Sequence, residues 1–133
     1  MDCLFCKIIK GEIPCYKIYE DDYTLAFLDI AKDVDGHTLV IPKKHFNNIL
    51  DCDEDTINHV MKTIKLISNH YVNNCGFSGI NLINNNGKSA EQAINHLHFH
   101  IIPRKHNDGT DSWPKFNGTK FELSAMHEFL KIK

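Results

Sequence analysis

Three histidines stand at alternate positions in His96-Leu97-His98-Phe99-His100, and the apolar pair Ile101-Ile102 and then Pro103 follow them. On an extended chain successive side chains point to opposite faces, so His96, His98 and His100 share one face and Leu97, Phe99 and Ile101 the other. One face is chemical and the other is an anchor. At a rise near 3.3 Å per residue, neighbouring histidines stand roughly 7 Å apart, a span that suits a phosphate-sized group better than direct contact. Neutral imidazole is a nucleophile toward phosphorus, and imidazolium donates to phosphoryl oxygen, both near neutral pH. A single strand can therefore supply both roles.

A second cluster of reactive side chains lies at the N-terminus, where Cys3-Leu-Phe-Cys6 has the spacing of half a zinc site. Zinc takes four nitrogen or sulfur ligands in a tetrahedron, so this pair needs partners elsewhere in the chain. Two other readings stay open: a redox pair, and two free thiols near the terminus. A redox pair would follow a strand and open a helix, and only two residues precede Cys3. Cys15, Cys52 and Cys75 have no partner by spacing and read as buried or inert thiols. His59, His70, His106 and His127 read as solvated surface residues.

The elements that must hold these residues follow from hydrophobic period. Lys17 to Glu20 and Thr24 to Leu28 form a hairpin around the turn dipeptide Asp21-Asp22. The run His37 to Ile41 is a third strand, halted at Pro42, which has no N–H to donate to a ladder. From about Asp53 to Asn74, Ile57, Val60, Met61, Ile64, Ile67 and Tyr71 recur at three and four residues, predicting a long helix with Asp51 and Glu54 as its capping box. Ile80 to Ile83 and the histidine run supply two further strands flanking the polar loop Asn84 to Ser89. A short closing helix is predicted over Phe121 to Leu130. Strands outnumber helices without regular alternation, so the fold class is α+β, not doubly wound.

Composition narrows the function classes. The chain has 133 residues, 42% of them hydrophobic, with a formal net charge of −2, which fits one domain with an ordinary core. Neither disorder nor electrostatic nucleic-acid binding is indicated. No apolar run is long enough to span a membrane, and no leader is evident at the N-terminus. Five cysteines, an odd set with one close pair, argue against a disulfide framework and for a reducing compartment, the cytoplasm.

The run His-Leu-His-Phe-His-Ile-Ile resembles the signature of the histidine triad (HIT) family. The likeness extends to residues 3–14, to Phe27-Leu-Asp-Ile30, to residues 36–45 (Gly-His-Thr-Leu-Val-Ile-Pro-Lys-Lys-His), and to Asn85-Asn-Gly87. About residues 3 to 104 look like its nucleotide-binding branch, with 105–133 a variable C-terminal tail on a single HIT domain. The resemblance implies an antiparallel sheet of about five strands with one long helix and short terminal helices. It implies hydrolysis of purine nucleoside phosphoramidates or dinucleotides at the α-phosphorus, without magnesium. His98 would attack and become a transient nucleotidyl-histidine that water resolves. His100 and His37 would flank the phosphate as donors, Gln92 would contact phosphoryl oxygen or the leaving group, and the His96 carbonyl would orient His98. Asp29 would hold the ribose hydroxyls. Phe5, Leu4, Ile8, Ile30 and Leu39 would surround the base, each also readable as core, and Asn85 would lie near the phosphate.

The resemblance also implies a structural zinc held by Cys3, Cys6, His45 and His96, and a homodimer with the long helix near its two-fold axis. Two departures matter: Glu91 stands where the branch often has Gly, and Ala93 where it often has Ser. Loss of that hydroxyl removes a donor to the leaving group. Glu91 and Ala93 keep one alternative open, a slow-turnover nucleotide-binding regulatory module; a second, a dinucleoside polyphosphate hydrolase, uses the same histidine but needs room for a second nucleoside.

Overall fold

The computed structural model describes residues 2–133. In chain order its elements are α1 (Leu4–Ile9), β1 (Lys17–Glu20), β2 (Thr24–Leu28), β3 (Thr38–Pro42), α2 (Glu54–Asn74), β4 (Gly79–Ile83), a 3-10 turn at Lys88–Ala90, β5 (Phe99–Arg104) and α3 (Leu123–Leu130). The five strands form one sheet in the order β1-β2-β3-β5-β4, every pairing antiparallel. The α+β architecture expected from the sequence is the one observed.

Two apolar layers sandwich the central strands. Ala26, Val40, Leu97, Phe99 and Ile101 pack with Val60, Ile64, Ile67 and Tyr71 of α2. Leu25, Phe27, Leu39 and Ile41 point the other way and pack with Cys3 and Phe5 at the N-terminus. Burial on both faces explains why β2 and β3 read as apolar runs and not as alternating strands. The hairpin turn is set by Asp21, whose carboxylate accepts from the amides of Tyr23 and Thr24, each at 2.8 Å.

The long helix falls where its period placed it, with two corrections. Its N-cap is Asp53, which accepts from the Thr56 amide at 2.8 Å, and not the pair Asp51 and Glu54. Asp51 instead accepts from the amides of Asn47 and Asn48, closing the preceding turn. Met61 lies on the exposed side, and Thr63 takes the buried position because its hydroxyl pairs with that of Thr24 at 2.7 Å. The closing helix α3 forms, but none of its residues is buried. Among the described residues no helix is long and apolar enough to cross a membrane.

Candidate functional site

The three histidines of the triad keep their alternation yet do not all lie on a regular strand. Ladder pairing of β5 begins at Phe99, so His96 and His98 precede it. A backbone bond from the Leu97 amide to the Phe46 carbonyl at 2.7 Å anchors that segment. Leu97, Phe99 and Ile101 still enter the α2 layer, which leaves the imidazoles on the opposite side. Direct neighbours are closer than a flat strand predicts: the His98 and His100 rings are 5.1 Å apart at their centroids, not 7 Å, because they lean into an edge-to-face contact.

His98 is buried, and its Nδ1 lies 2.7 Å from the carbonyl oxygen of His96. A carbonyl only accepts, so Nδ1 carries the hydrogen and Nε2 is left with its lone pair. The ring is thus held in the tautomer that a nucleophile needs. The His98 carbonyl is itself held by the Asn84 side-chain amide at 2.9 Å. Phe5, buried beneath the triad, meets His98 edge-on with centroids 5.2 Å apart and His96 at 5.8 Å.

His37 and His100 form the second half of the site. His37 immediately precedes β3 and His100 lies on the neighbouring β5, where Leu39 pairs with His100, and Nε2 of His37 lies 2.8 Å from Nδ1 of His100. Gly36, with φ of +83°, delivers His37 to the strand, and a Cβ there would lie 3.0 Å from the Pro103 ring. Burial, with His98 and His37 close by, pushes the His100 imidazole down to about 4, so it stays neutral near pH 7. Nδ1 of His37 faces both carboxylate oxygens of Asp33, at 3.0 and 3.1 Å. Burial works to raise the Asp33 carboxyl, but hydrogen bonds from His37 and the Val34 amide outweigh it and hold it below the usual range. Asp29 closes this end: one oxygen accepts from the Ala31 amide at 2.8 Å, and the other lies 3.6 Å from Nε2 of His37.

The remaining positions named from the sequence divide. Phe5 and Leu39 are buried and Ile8 packs against them, so all three belong to the apolar layer under the site. Leu4 at 45% exposure and Ile30 at 87% offer open apolar surface. Gln92 is tied into the surrounding loops. Its Nε2 donates to the carbonyls of Asn47 and Ile94 at 2.6 and 2.9 Å, and its Oε1 accepts from the Gly87 amide at 2.9 Å and from the Asn48 side chain at 3.2 Å. Glu91 beside it adopts φ of 66°, a left-handed conformation that glycine takes freely. Asn85, half-buried, lies between Asn84 and Asn86, and Asn86 accepts from the Ile49 amide at 2.8 Å. Sequence reasoning missed Asp33 and Asn84. No motif marks Asp33, whose role depends on a turn bringing it back to His37; Asn84 is one of three consecutive asparagines with nothing to single it out.

A second constellation is built around His96, which shares the Phe5 contact with His98. The ligand atoms of Cys3, Cys6, His45 and His96 all fall within 4.8 Å of one another. The edges Cys3 Sγ to His96 Nδ1, Cys6 Sγ to His45 Nδ1 and Cys6 Sγ to His96 Nδ1 measure 3.5, 3.3 and 3.6 Å, and the two Nδ1 atoms are 3.1 Å apart. Zinc bond lengths near 2.3 Å to sulfur and 2.0 Å to nitrogen give tetrahedral edges of about 3.3 to 3.8 Å, so the donor set fits. Nε2 of His96 lies 2.9 Å from the Pro42 carbonyl, which puts the ring hydrogen there and leaves Nδ1 to bind. Burial lowers the His96 imidazole to about 4 against the opposing pull of that carbonyl, so it stays neutral, the ligand form.

A family model described as the HIT domain matches residues 10–107. The chain belongs to the HIT family. An uncharacterized HIT-like protein of Methanocaldococcus jannaschii is 49% identical over 107 residues, 80% of this chain and 82% of that protein. The adenosine 5'-monophosphoramidase of Schizosaccharomyces pombe is 37% identical over 136 residues, covering 100% of this chain and 98% of its own. Among solved structures, a zinc-bound histidine triad family protein from Mycobacterium smegmatis aligns with a TM-score of 0.78 at 36% identity, over 82% of this chain and 79% of that one. Cys3 and Cys6 lie ahead of the segment that the HIT model matches, so half of the candidate metal cluster comes from outside it.

Proposed function

We propose that this HIT protein hydrolyses purine nucleoside 5'-phosphoramidates and related nucleotidyl substrates at the α-phosphorus. The observation that supports this most is the tautomer of His98, whose Nδ1 hydrogen is committed to the His96 carbonyl while Nε2 is bare beside the His37 and His100 pair. Nε2 attacks phosphorus, the P–N bond to the amine breaks, and the amine leaves with a proton supplied through the neighbouring imidazoles. Water then attacks the nucleotidyl-histidine, the bond from phosphorus to Nε2 breaks, and nucleoside monophosphate departs. Splitting one displacement into two, with donors already aimed at the phosphoryl oxygens, lowers each barrier. Asp29 holds the ribose hydroxyls, Leu4 and Ile30 cover the base over the layer of Phe5, Ile8 and Leu39, and Asn85 borders the phosphate.

Zinc bound by Cys3, Cys6, His45 and His96 would be structural, a closed four-ligand site with no position for water. It ties the N-terminal turn to the residue that orients His98. Gln92, engaged by four partners, acts on the reaction by fixing the loop that carries Ala93. A cytoplasmic homodimer with α2 near its two-fold axis completes the reading.

The test is release of nucleoside monophosphate from adenosine 5'-phosphoramidate by purified protein without added magnesium, with a dinucleoside polyphosphate run in parallel. Faster release from the phosphoramidate supports the reading, and a preference for the dinucleotide would make dinucleoside polyphosphate hydrolysis the main reaction. The committed amide of Gln92 and the missing hydroxyl at Ala93 favour a second reading, a nucleotide-binding regulator of slow turnover. Tight nucleotide binding with no release from either substrate would select it.

A further inference from the structure

His37 is buried just before β3, and both of its ring nitrogens are engaged. A carboxylate accepts and never donates, so the contacts of 3.0 and 3.1 Å to Asp33 fix the hydrogen on Nδ1. The direction of the 2.8 Å contact between His37 Nε2 and His100 Nδ1 then depends on the charge of His37. When His37 is neutral, its Nε2 accepts from His100 Nδ1–H, and the remaining nitrogen of His100 is bare. A bare nitrogen repels phosphoryl oxygen. When His37 is the imidazolium, it donates from Nε2 to His100 Nδ1, and the His100 hydrogen sits on Nε2, ready to be given to a phosphoryl oxygen or a leaving amine.

We propose that Asp33 is a positioning residue that holds His37 as the imidazolium and so makes His100 a hydrogen-bond donor toward the substrate. The inference deepens the proposed hydrolysis and rests on it for its catalytic consequence. The groups facing His37 divide by sign. Asp33 from the loop and Asp29 from the end of β2, its Oδ2 3.6 Å from Nε2, favour the cation. His100 on β5, with His98 a ring away at 5.1 Å, opposes it. The added proton rests on His37 and not on His100, which burial and its imidazole neighbours keep neutral. Proton transfer then balances: His100 Nε2–H passes to the departing amine, His37 Nε2–H passes to His100 Nδ1, and a neutral His37 remains bonded to Asp33. The water that resolves the intermediate restores the proton.

Asp33→Asn and Asp33→Glu separate this from a merely structural role. Asparagine keeps a side-chain oxygen for Nδ1–H but removes the charge, and the Asp33 side chain is 53% exposed, so the substitution is tolerated by the fold. In substrate-free protein, the His37 ring followed by NMR should lose its proton at lower pH in Asp33→Asn than in wild type, with Asp33→Glu returning it toward wild type. The alkaline limb of kcat should move down with it, so that kcat at pH 8 falls several-fold while KM hardly changes. An unmoved His37 titration, or a moved titration with an unmoved kcat profile, would overturn the proposal. If wild-type protein hydrolyses no nucleotidyl substrate, the functional reading fails, and the ring titration still decides whether Asp33 sets the charge of His37.

Discussion

At the scale of single residues the site is governed by which ring nitrogen holds a hydrogen. His98 and His96 each commit one nitrogen to a backbone carbonyl, at 2.7 and 2.9 Å, and His37 commits one to Asp33. The sequence shows the histidines and their alternation, and it cannot show these partners, because a carbonyl belongs to every residue and Asp33 reaches His37 only through a turn. A half-buried neutral His100 has a cost in acid. Its folded-state pKa, about 4, lies below the unfolded value near 6.5, so protonation favours the unfolded chain. Stability is therefore kept above pH 6.5 and lost as pH falls toward 4, by on the order of 1–2 kcal/mol once partial solvent contact is allowed for. His96 and acid release of metal add to this loss, so the comparison is with His100→Gln. Denaturant midpoints measured from pH 7 to pH 4 should fall less steeply in that variant; parallel curves would show that His100 is not held neutral.

At the scale of elements, period and turn chemistry carried most of the fold. The hairpin, the long helix and the halt of β3 at Pro42 all stand where hydrophobic spacing, Asp21-Asp22 and proline chemistry put them. What was not legible was decided by neighbours far away in sequence. Thr63 takes a core position because Thr24 offers a hydroxyl 39 residues away, and the approach to β5 is anchored outside the ladder because the Phe46 carbonyl accepts from the Leu97 amide. The loop carrying Gln92 holds a local conflict, since Glu91 adopts a left-handed φ of 66° that glycine would take without strain. Replacing it with glycine relieves that strain and adds freedom to the unfolded chain, leaving a net gain of about 0.5–1 kcal/mol. Urea denaturation of Glu91→Gly should show a higher midpoint with an unchanged slope; a lower midpoint would mean that the glutamate side chain contributes something the geometry does not show.

At the scale of the whole molecule, the candidate metal cluster joins parts of the chain that are distant in sequence. Cys3 and Cys6 come from α1 and its N-cap, His45 from the segment after β3, and His96 from the approach to β5. Half of this set was visible as a Cys-x-x-Cys pair, whereas the histidines were reachable only through the family resemblance. Purified protein should carry about one zinc per chain. Stripping it with a chelator should lower the melting temperature, because metal that binds the folded state alone stabilises by about 2.7 kcal/mol at a free concentration one hundred times its Kd. Untreated protein that carries zinc by elemental analysis and yet melts with the chelator-stripped protein would contradict the structural role. Loss of zinc should also loosen Phe5, which packs against both His96 and His98, and so reach the reacting imidazole.

The central claim is that Nε2 of His98 carries the nucleotidyl group between the two displacements. Intact-mass measurement of protein quenched in acetonitrile within seconds of mixing with adenosine 5'-phosphoramidate reads that intermediate directly. A species heavier by one adenylyl group is expected, localised by peptide mapping to His98. His98→Asn should show no such species and no hydrolysis, yet bind nucleotide with little change. An adduct on another residue, or hydrolysis retained in His98→Asn, would contradict it.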